Sequence, residues 1–338
     1  MSKEECIQFS KPVKAYVIKA FKENGNLSAA HNFNHVNRVA TSAYLVVKVL
    51  GGTEREAELA RIGGYLHDLV RFPGEDRDDE ELSAKKAMPM LRELGSLSES
   101  EINTVLASIM TQSVPSELLS TEKKESISYF LADRSRLIRF AVFLGDKIDA
   151  NGSFVIARRS QFVGGERLVN GDLNNFRKVL ESKGIAFDQE VAVTFESYLR
   201  LRVKNNVELY PKWFLPVVDR LFDQQKEFYY ALLKHQNLHE NDIAKLIVSL
   251  KYPGADADEI EAYEAKRPES KMQIDISTEG QIDAALEVVK FFSEPRNIDR
   301  DTAELIREFD PKTTVAKIWR GNMLAYLDDG IKPLLEYM

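Results

Sequence analysis

The sequence predicts an all-α protein, and three observations carry that expectation. Apolar residues recur at three- and four-residue spacing through most long segments. Two segments open on a capping signature in which Ser or Thr precedes Glu by three positions, Thr53 with Glu56 and Ser98 with Glu101. Little in the first two-thirds of the chain alternates with the period of two that a half-buried strand requires.

Taken in order, the first helix carries Val13, Tyr16, Val17, Ala20 and Phe21 on one stripe. Ser10 and Pro12 are expected to open it and Asn24-Gly25 to close it. The second presents Val36, Val39, Ala40, Ala43, Val47 and Leu50 and stops at Gly51-Gly52. A third starts after Thr53, has Leu59, Ile62, Leu66 and Leu69 as its apolar positions, and stops before Pro73-Gly74. After Ser98 come Ile102, Val105, Leu106 and Ile109 at helical spacing, and residues 134–150 and 211–234 read the same way. Residues 1–235 are therefore expected to form one helical domain. Past Gln236 an acidic stretch, "YPGADADEIEAYEAKRPESK", reads as a connection with one short exposed helix. "MQIDIST" follows as one short strand at 272–276, and then three amphipathic helices complete a smaller, mainly helical region, 236–338.

Composition excludes several classes. With 44% hydrophobic and 29% charged residues, the 338-residue chain can bury a sizeable core. No apolar stretch approaches the roughly 20 residues that span a bilayer, so no membrane partner is expected. The opening "MSKEECIQFSKPVK" lacks the apolar segment of a secretory signal. Cys6 is the one cysteine, which rules out an intrachain disulfide and points to a reducing, cytoplasmic setting. A net charge of −7 argues against extended nucleic acid as a partner and leaves a homo-oligomer open.

The chemistry-bearing stretch is "RIGGYLHDLVRFPG", residues 61–74. It sets His67 and Asp68 side by side at the end of an apolar helix, where the backbone dipole disfavours a carboxylate. A carboxylate placed there calls for a cation nearby, either Arg, Lys or a metal. Adjacent helical residues stand about 100° apart, so both side chains can reach one ion at the helix edge. A hairpin through Gly51-Gly52 brings His35, at the start of the second helix, towards them. The best candidate for a fourth group is Asp146 in "RFAVFLGDKIDANG", with Asp149 three residues on. Standing alone, Asp146, Lys147 and Asp149 would read as a solvated helix end.

The order His35, His67-Asp68, Asp146 resembles the HD-domain superfamily of metal-dependent phosphohydrolases, whose fold is an all-α bundle. "HNFNHVNRVA" is similar to that family's H-D-x-x-H-x-x-R-V helix start. "GDKIDANGSFVIARRSQFVGG" is similar to its A-D-R-L-D-A-x-G-x-x-G-I-A-R segment. The resemblance covers roughly residues 27–165, with a weaker echo of the family's long closing helix in "PKWFLPVVDRLFDQQKEFYYALL". It implies an HD-domain helical bundle in which His35, His67, Asp68 and Asp146 hold one divalent ion, whether Mn, Co, Ni, Zn, Fe or Mg. It also implies hydrolysis of a small phosphorylated substrate, with a nucleotide as the leading choice. The alternative is a non-catalytic metal- or nucleotide-binding regulatory protein whose C-terminal helices dock a partner.

Around that set, Arg38, Lys147, Arg158 and Arg159 are candidates to hold a phosphate. His31 is a candidate to orient a ligand or protonate the leaving group, and Asp149 to support a ligand or touch a sugar hydroxyl. Relatives that place an acidic residue three or four positions after the HD pair differ from this chain, which has Arg71 and Phe72 there. Glu75, Asp76 or Glu80 are the nearby substitutes. No histidine occurs between 68 and 234, which favours one ion over two, and Asp149-Ala150 replaces the His-Asn of the alarmone hydrolases. His235 and His239 share a helix face but lack a third ligand, and read as surface residues.

Overall fold

The computed structural model describes residues 3–23, 31–70, 79–110, 126–149, 152–165, 171–204, 210–239, 242–243, 245, 279–329 and 332. Among these no strand occurs. No helix among them is long and apolar enough to cross a membrane. The acidic connection and the strand expected at 272–276 lie outside the described residues, as do Arg71, Phe72, Glu75 and Asp76.

Packing divides the chain into two compact units, each discontinuous in sequence. The first comprises 1–152, 208–221 and 323–338, and the second 153–207 and 222–322. The composition change near residue 236 falls inside the second unit.

In the first unit the helices are α1 (Lys3–Glu23), α2 (Phe33–Val49), α3 (Glu54–Leu66), α4 (Asp79–Glu93), α5 (Glu99–Met110), α6 (Ile127–Leu131) and α7 (Arg134–Asp149). The two capping boxes form as the sequence indicates. Thr53 caps α3 while Glu56 reaches back to the Thr53 amide at 2.8 Å, and Glu101 receives the Ser98 amide at 2.9 Å. Gly51, at φ +88°, supplies the turn after α2 that a side chain would strain. Two expectations are corrected. Helix α1 begins at Lys3 and carries Pro12 in its interior, because a helix of 21 residues tolerates losing one amide donor. Helix α3 ends at Leu66, with His67 as its C-cap and Asp68 in the following turn. Helix α4, with Pro89 inside it, is an element that the apolar spacing does not announce.

Helix α2 packs against both α3 and α7, and α3 against α7. Glycines set how closely these helices approach. A methyl group on Gly64 would lie 2.6 Å from the Ala40 Cα, and one on Gly145 would lie 2.8 Å from the Val39 carbonyl oxygen. Backbone therefore meets backbone at both crossings. His35 stands one turn before Val39, His67 three residues after Gly64, and Asp146 directly after Gly145. The crossings thus bring the chemistry-bearing ends of the three helices together.

Glu101 also joins α5 to α3, accepting from Arg55 Nε at 2.8 Å and Nη2 at 2.9 Å. That guanidinium, together with the Ser98 cap, holds the Glu101 carboxyl down to about 2 from an ordinary 4.5. A depressed carboxylate contributes stability that is present above the unfolded value and lost as pH falls through the folded one. The contribution should fade between pH 4.5 and about 2. Glu101→Gln is expected to cost about 1–2 kcal/mol at pH 7 after solvent screening. In urea unfolding the gap to wild type should narrow as pH falls from about 5 to 3. A gap independent of pH would refute this account.

The second unit contains α8 (Ser153–Gly164), α9 (Gly171–Ser182), α10 (Gln189–Lys204), α12 (Glu279–Ser293) and α13 (Thr302–Glu308), with α8, α10 and α12 packed on one another. Its buried Gln161 donates to the Asn297 and Arg300 carbonyls at 2.8 and 2.9 Å and accepts from Thr302, so the amide is satisfied. Helices α11 (Leu215–His235) and α14 (Thr314–Asp329) also occur, and among the described residues three α-helices follow residue 278. His235 and His239 are exposed.

Candidate metal centre

Each side chain of the centre has a local cause for its position. Asn32 caps α2 by accepting from the His35 amide at 3.2 Å, which fixes His35 in the first turn. His67 lies where α3 stops, and its Nδ1 donates to the Gly64 carbonyl at 2.8 Å, an acceptor exposed by the helix end. The turn that carries Asp68 is pinned from α4: buried Ser83 accepts from the Val70 amide at 2.9 Å and donates to the Val70 carbonyl at 3.2 Å. Asp146 projects from the last turn of α7.

Three of the groups, His35, His67 and Asp146, come together, with Asp68 beside the two histidines. His35 Nε2 lies 3.2 Å from His67 Nε2. Asp68 Oδ2 is 3.4 Å from both nitrogens. Asp146 Oδ1 is 3.7 Å from His35 Nε2 and 4.0 Å from His67 Nε2. Every pair of donor atoms from His35, His67 and Asp146 lies within 4.8 Å, and that trio could hold a metal. Asp68 is not one of that trio; its Oδ2 lies 3.4 Å from each histidine Nε2. Around an ion held at about 2.0–2.2 Å, neighbouring donor atoms stand roughly 3–3.5 Å apart, so the closest spacings fit a coordination shell.

Proton positions sharpen the case. The Gly64 carbonyl can only accept, so His67 Nδ1 carries the proton and Nε2 presents a lone pair. His35 Nδ1 likewise donates to Asp149 Oδ2 at 2.6 Å, and in the neutral imidazole its Nε2 is then the second lone pair. Burial lowers the His67 pKa, with the His35 ring adding to the effect, against opposing pulls from Asp68, Asp146 and the Gly64 carbonyl. His35, His67 and Asp146 thus turn their donor atoms towards one another, with Asp68 Oδ2 beside both imidazoles. A dication is the species that such a donor set accommodates.

Residues 32–135 match the family model for the HD domain. The match is consistent with the HD-domain superfamily, a family of metal-dependent hydrolases, and with its helical-bundle fold. Neither the curated proteins nor the solved structures contain a match to the chain. The matched HD segment includes His35, His67 and Asp68. Asp146 lies beyond it, so its place in the centre rests on the geometry.

The other candidates from the sequence are placed as follows. Asp149 is fully buried and binds His35 instead of facing an opening. Arg38, expected to hold phosphate, turns to the same carboxylate, with Nη2 at 3.1 Å from Asp149 Oδ2 and Nε on Oδ1. Lys147 Nζ donates to Asp146 Oδ2 at 2.7 Å, the oxygen of that carboxylate other than the one nearest the histidines. His31 is half-buried and meets the His35 ring edge-on at 5.5 Å between centroids. Arg158 and Arg159 belong to the second unit, where Arg159 pairs with Glu196 at 3.5 Å.

Sequence reasoning misses two tyrosines of the first unit. The Tyr326 hydroxyl donates to Asp149 Oδ1 at 2.9 Å. Tyr210 is buried within the field of Asp146, and burial, then that charge, push its phenol up. Neither stands in a recognisable motif. Gly64 and Gly145 are legible only as neighbours of His67 and Asp146.

Proposed function

We propose that the protein is a divalent-metal-dependent phosphohydrolase acting on a small phosphorylated compound, with a nucleotide as the favoured substrate. The observation that supports this most is the grouping of His35 Nε2, His67 Nε2 and an Asp146 oxygen within 4.8 Å, with Asp68 Oδ2 3.4 Å from both nitrogens. His35, His67, Asp68 and Asp146 would hold the ion. When bound, such an ion lowers the pKa of a water ligand and polarises a phosphoryl oxygen.

The chain's own residues then divide the work. Asp68 and Asp146 balance a dication's charge, while the Nδ1 bonds to Gly64 and Asp149 keep both imidazoles in the ligating tautomer. Asp146 and Lys147 are 19% and 17% exposed, whereas His35, His67 and Asp68 are almost fully buried, so substrate approach is assigned to the Asp146 side. There Lys147 is assigned to contact a phosphate, and half-buried His31 to protonate the leaving oxygen. Arg38 and Asp149 act behind His35. One cysteine in 338 residues supports a reducing compartment.

A phosphate-release screen tests the proposal, run over nucleoside mono-, di- and triphosphates with Mn²⁺, Co²⁺, Ni²⁺, Zn²⁺, Fe²⁺ and Mg²⁺. Metal-dependent release from at least one substrate is expected. Ligand-induced melting shifts without product for any metal would select the regulatory alternative.

A further inference from the structure

The buried Asp149 carboxylate has more partners than its place on α7 requires. Its Oδ2 accepts from His35 Nδ1 at 2.6 Å and from Arg38 Nη2 at 3.1 Å. Its Oδ1 accepts from Arg38 Nε and from the Tyr326 hydroxyl at 2.9 Å. A carboxylate offers about four lone-pair sites, two on each oxygen, and here all four are taken. A group so saturated can neither rotate nor re-pair without breaking a bond in a water-poor environment. Asp149 in turn fixes which nitrogen of His35 is protonated, and therefore whether Nε2 can ligate.

We propose that Tyr326, from the C-terminal segment of the first unit, is a positioning residue of the metal centre. Its hydroxyl holds Asp149, and Asp149 holds the His35 ring with the Nε2 lone pair aimed at His67, Asp68 and Asp146. The inference rests on the metal-binding reading above. It extends that reading to a residue 177 positions from Asp149 in sequence and far outside the matched segment. The C-terminal region thereby gains a role in the chemistry of the site.

Tyr326→Phe tests this, because it removes the hydroxyl and keeps the ring. Co²⁺ is titrated into the full-length wild type and the variant, with affinity read by calorimetry and ligand geometry by the visible absorption of the bound ion. The variant is expected to bind about tenfold more weakly, at the lower end of losses from removing outer hydrogen-bond partners. Its Co²⁺ spectrum should be altered, while circular dichroism shows the helical fold retained and the metal-free melting temperature falls by a few degrees at most. Equal affinity and an unchanged spectrum would overturn the proposal. In an Asp149→Asn background, Tyr326→Phe should have no further effect on Co²⁺ affinity, since the hydroxyl acts through that carboxylate. A full loss in that background would place its action elsewhere. A wild type that binds no Co²⁺ would instead overturn the metal reading together with this inference, an outcome distinct from tight binding by both proteins.

Discussion

Without divalent metal, Asp68→Asn melts at a higher temperature than wild type. In the metal-free protein Asp68 Oδ2 lies 3.4 Å from the Nε2 atoms of His35 and His67, and with both imidazoles neutral it faces lone pairs. An amide removes the negative charge and offers an N–H to one of those nitrogens, converting an unfavourable contact into a hydrogen bond worth about 1 kcal/mol. For a domain of this size that is a rise of roughly 2–4 °C. With Mn²⁺ the order reverses: wild type gains stability by mass action and the variant does not. Phosphate release by the variant should fall on the order of 100-fold or more, because a directly ligating group is lost. A metal-free variant that melts well below wild type would show that Asp68 is a structural partner of a protonated histidine. The expected rise is thus opposite in sign to what breaking a buried ion pair produces.

Gly64→Ala carries the second large effect, and again its sign is informative. Alanine at an exposed helical glycine gains about 1 kcal/mol from backbone entropy. At Gly64 the new methyl would meet Ala40 Cα at 2.6 Å and Ala40 N at 2.8 Å, and these are backbone atoms that cannot swing aside. Overpacking of this kind costs about 1–3 kcal/mol. Helices α2 and α3 must separate, which moves His35 relative to His67 and disturbs the Gly64 carbonyl that accepts from His67. Melting should fall by several degrees and Mn²⁺ affinity by at least about tenfold. Gly321, within α14, serves as the control, because a methyl added there would meet nothing within 4 Å among the described residues. Its alanine variant should melt at or above wild type. A Gly64→Ala protein that behaves like Gly321→Ala would contradict the close crossing of α2 and α3.

Much of this arrangement is legible in the sequence because its signals are local. Thr53-Glu56 and Ser98-Glu101 satisfy orphan amides within one turn, so capping is readable without tertiary structure. Gly51 stops α2 by its own backbone freedom. The grouping of His35, His67 and Asp146, with Asp68 beside the histidines, is long-range, and it is legible only through the motifs around them. What escapes depends on where long side chains finally point. Arg38 lies one turn from His35 on any helical reading, yet only the folded chain reveals its guanidinium on Asp149 instead of towards an opening. Tyr326 carries no motif and meets Asp149 only because the chain returns to the first unit after residue 322. Helix periodicity carries the third helix through Asp68, whereas α3 ends at Leu66 and the next turn supplies the reach.

The most direct test is to count metal. Full-length wild type and His35→Ala are dialysed against Mn²⁺, freed of excess ion, and weighed by native mass spectrometry. One Mn²⁺ per wild-type chain and none in His35→Ala is the expected result. Wild type without a bound ion, or equal loading of the two proteins, would show that the four inward-facing side chains serve some other end.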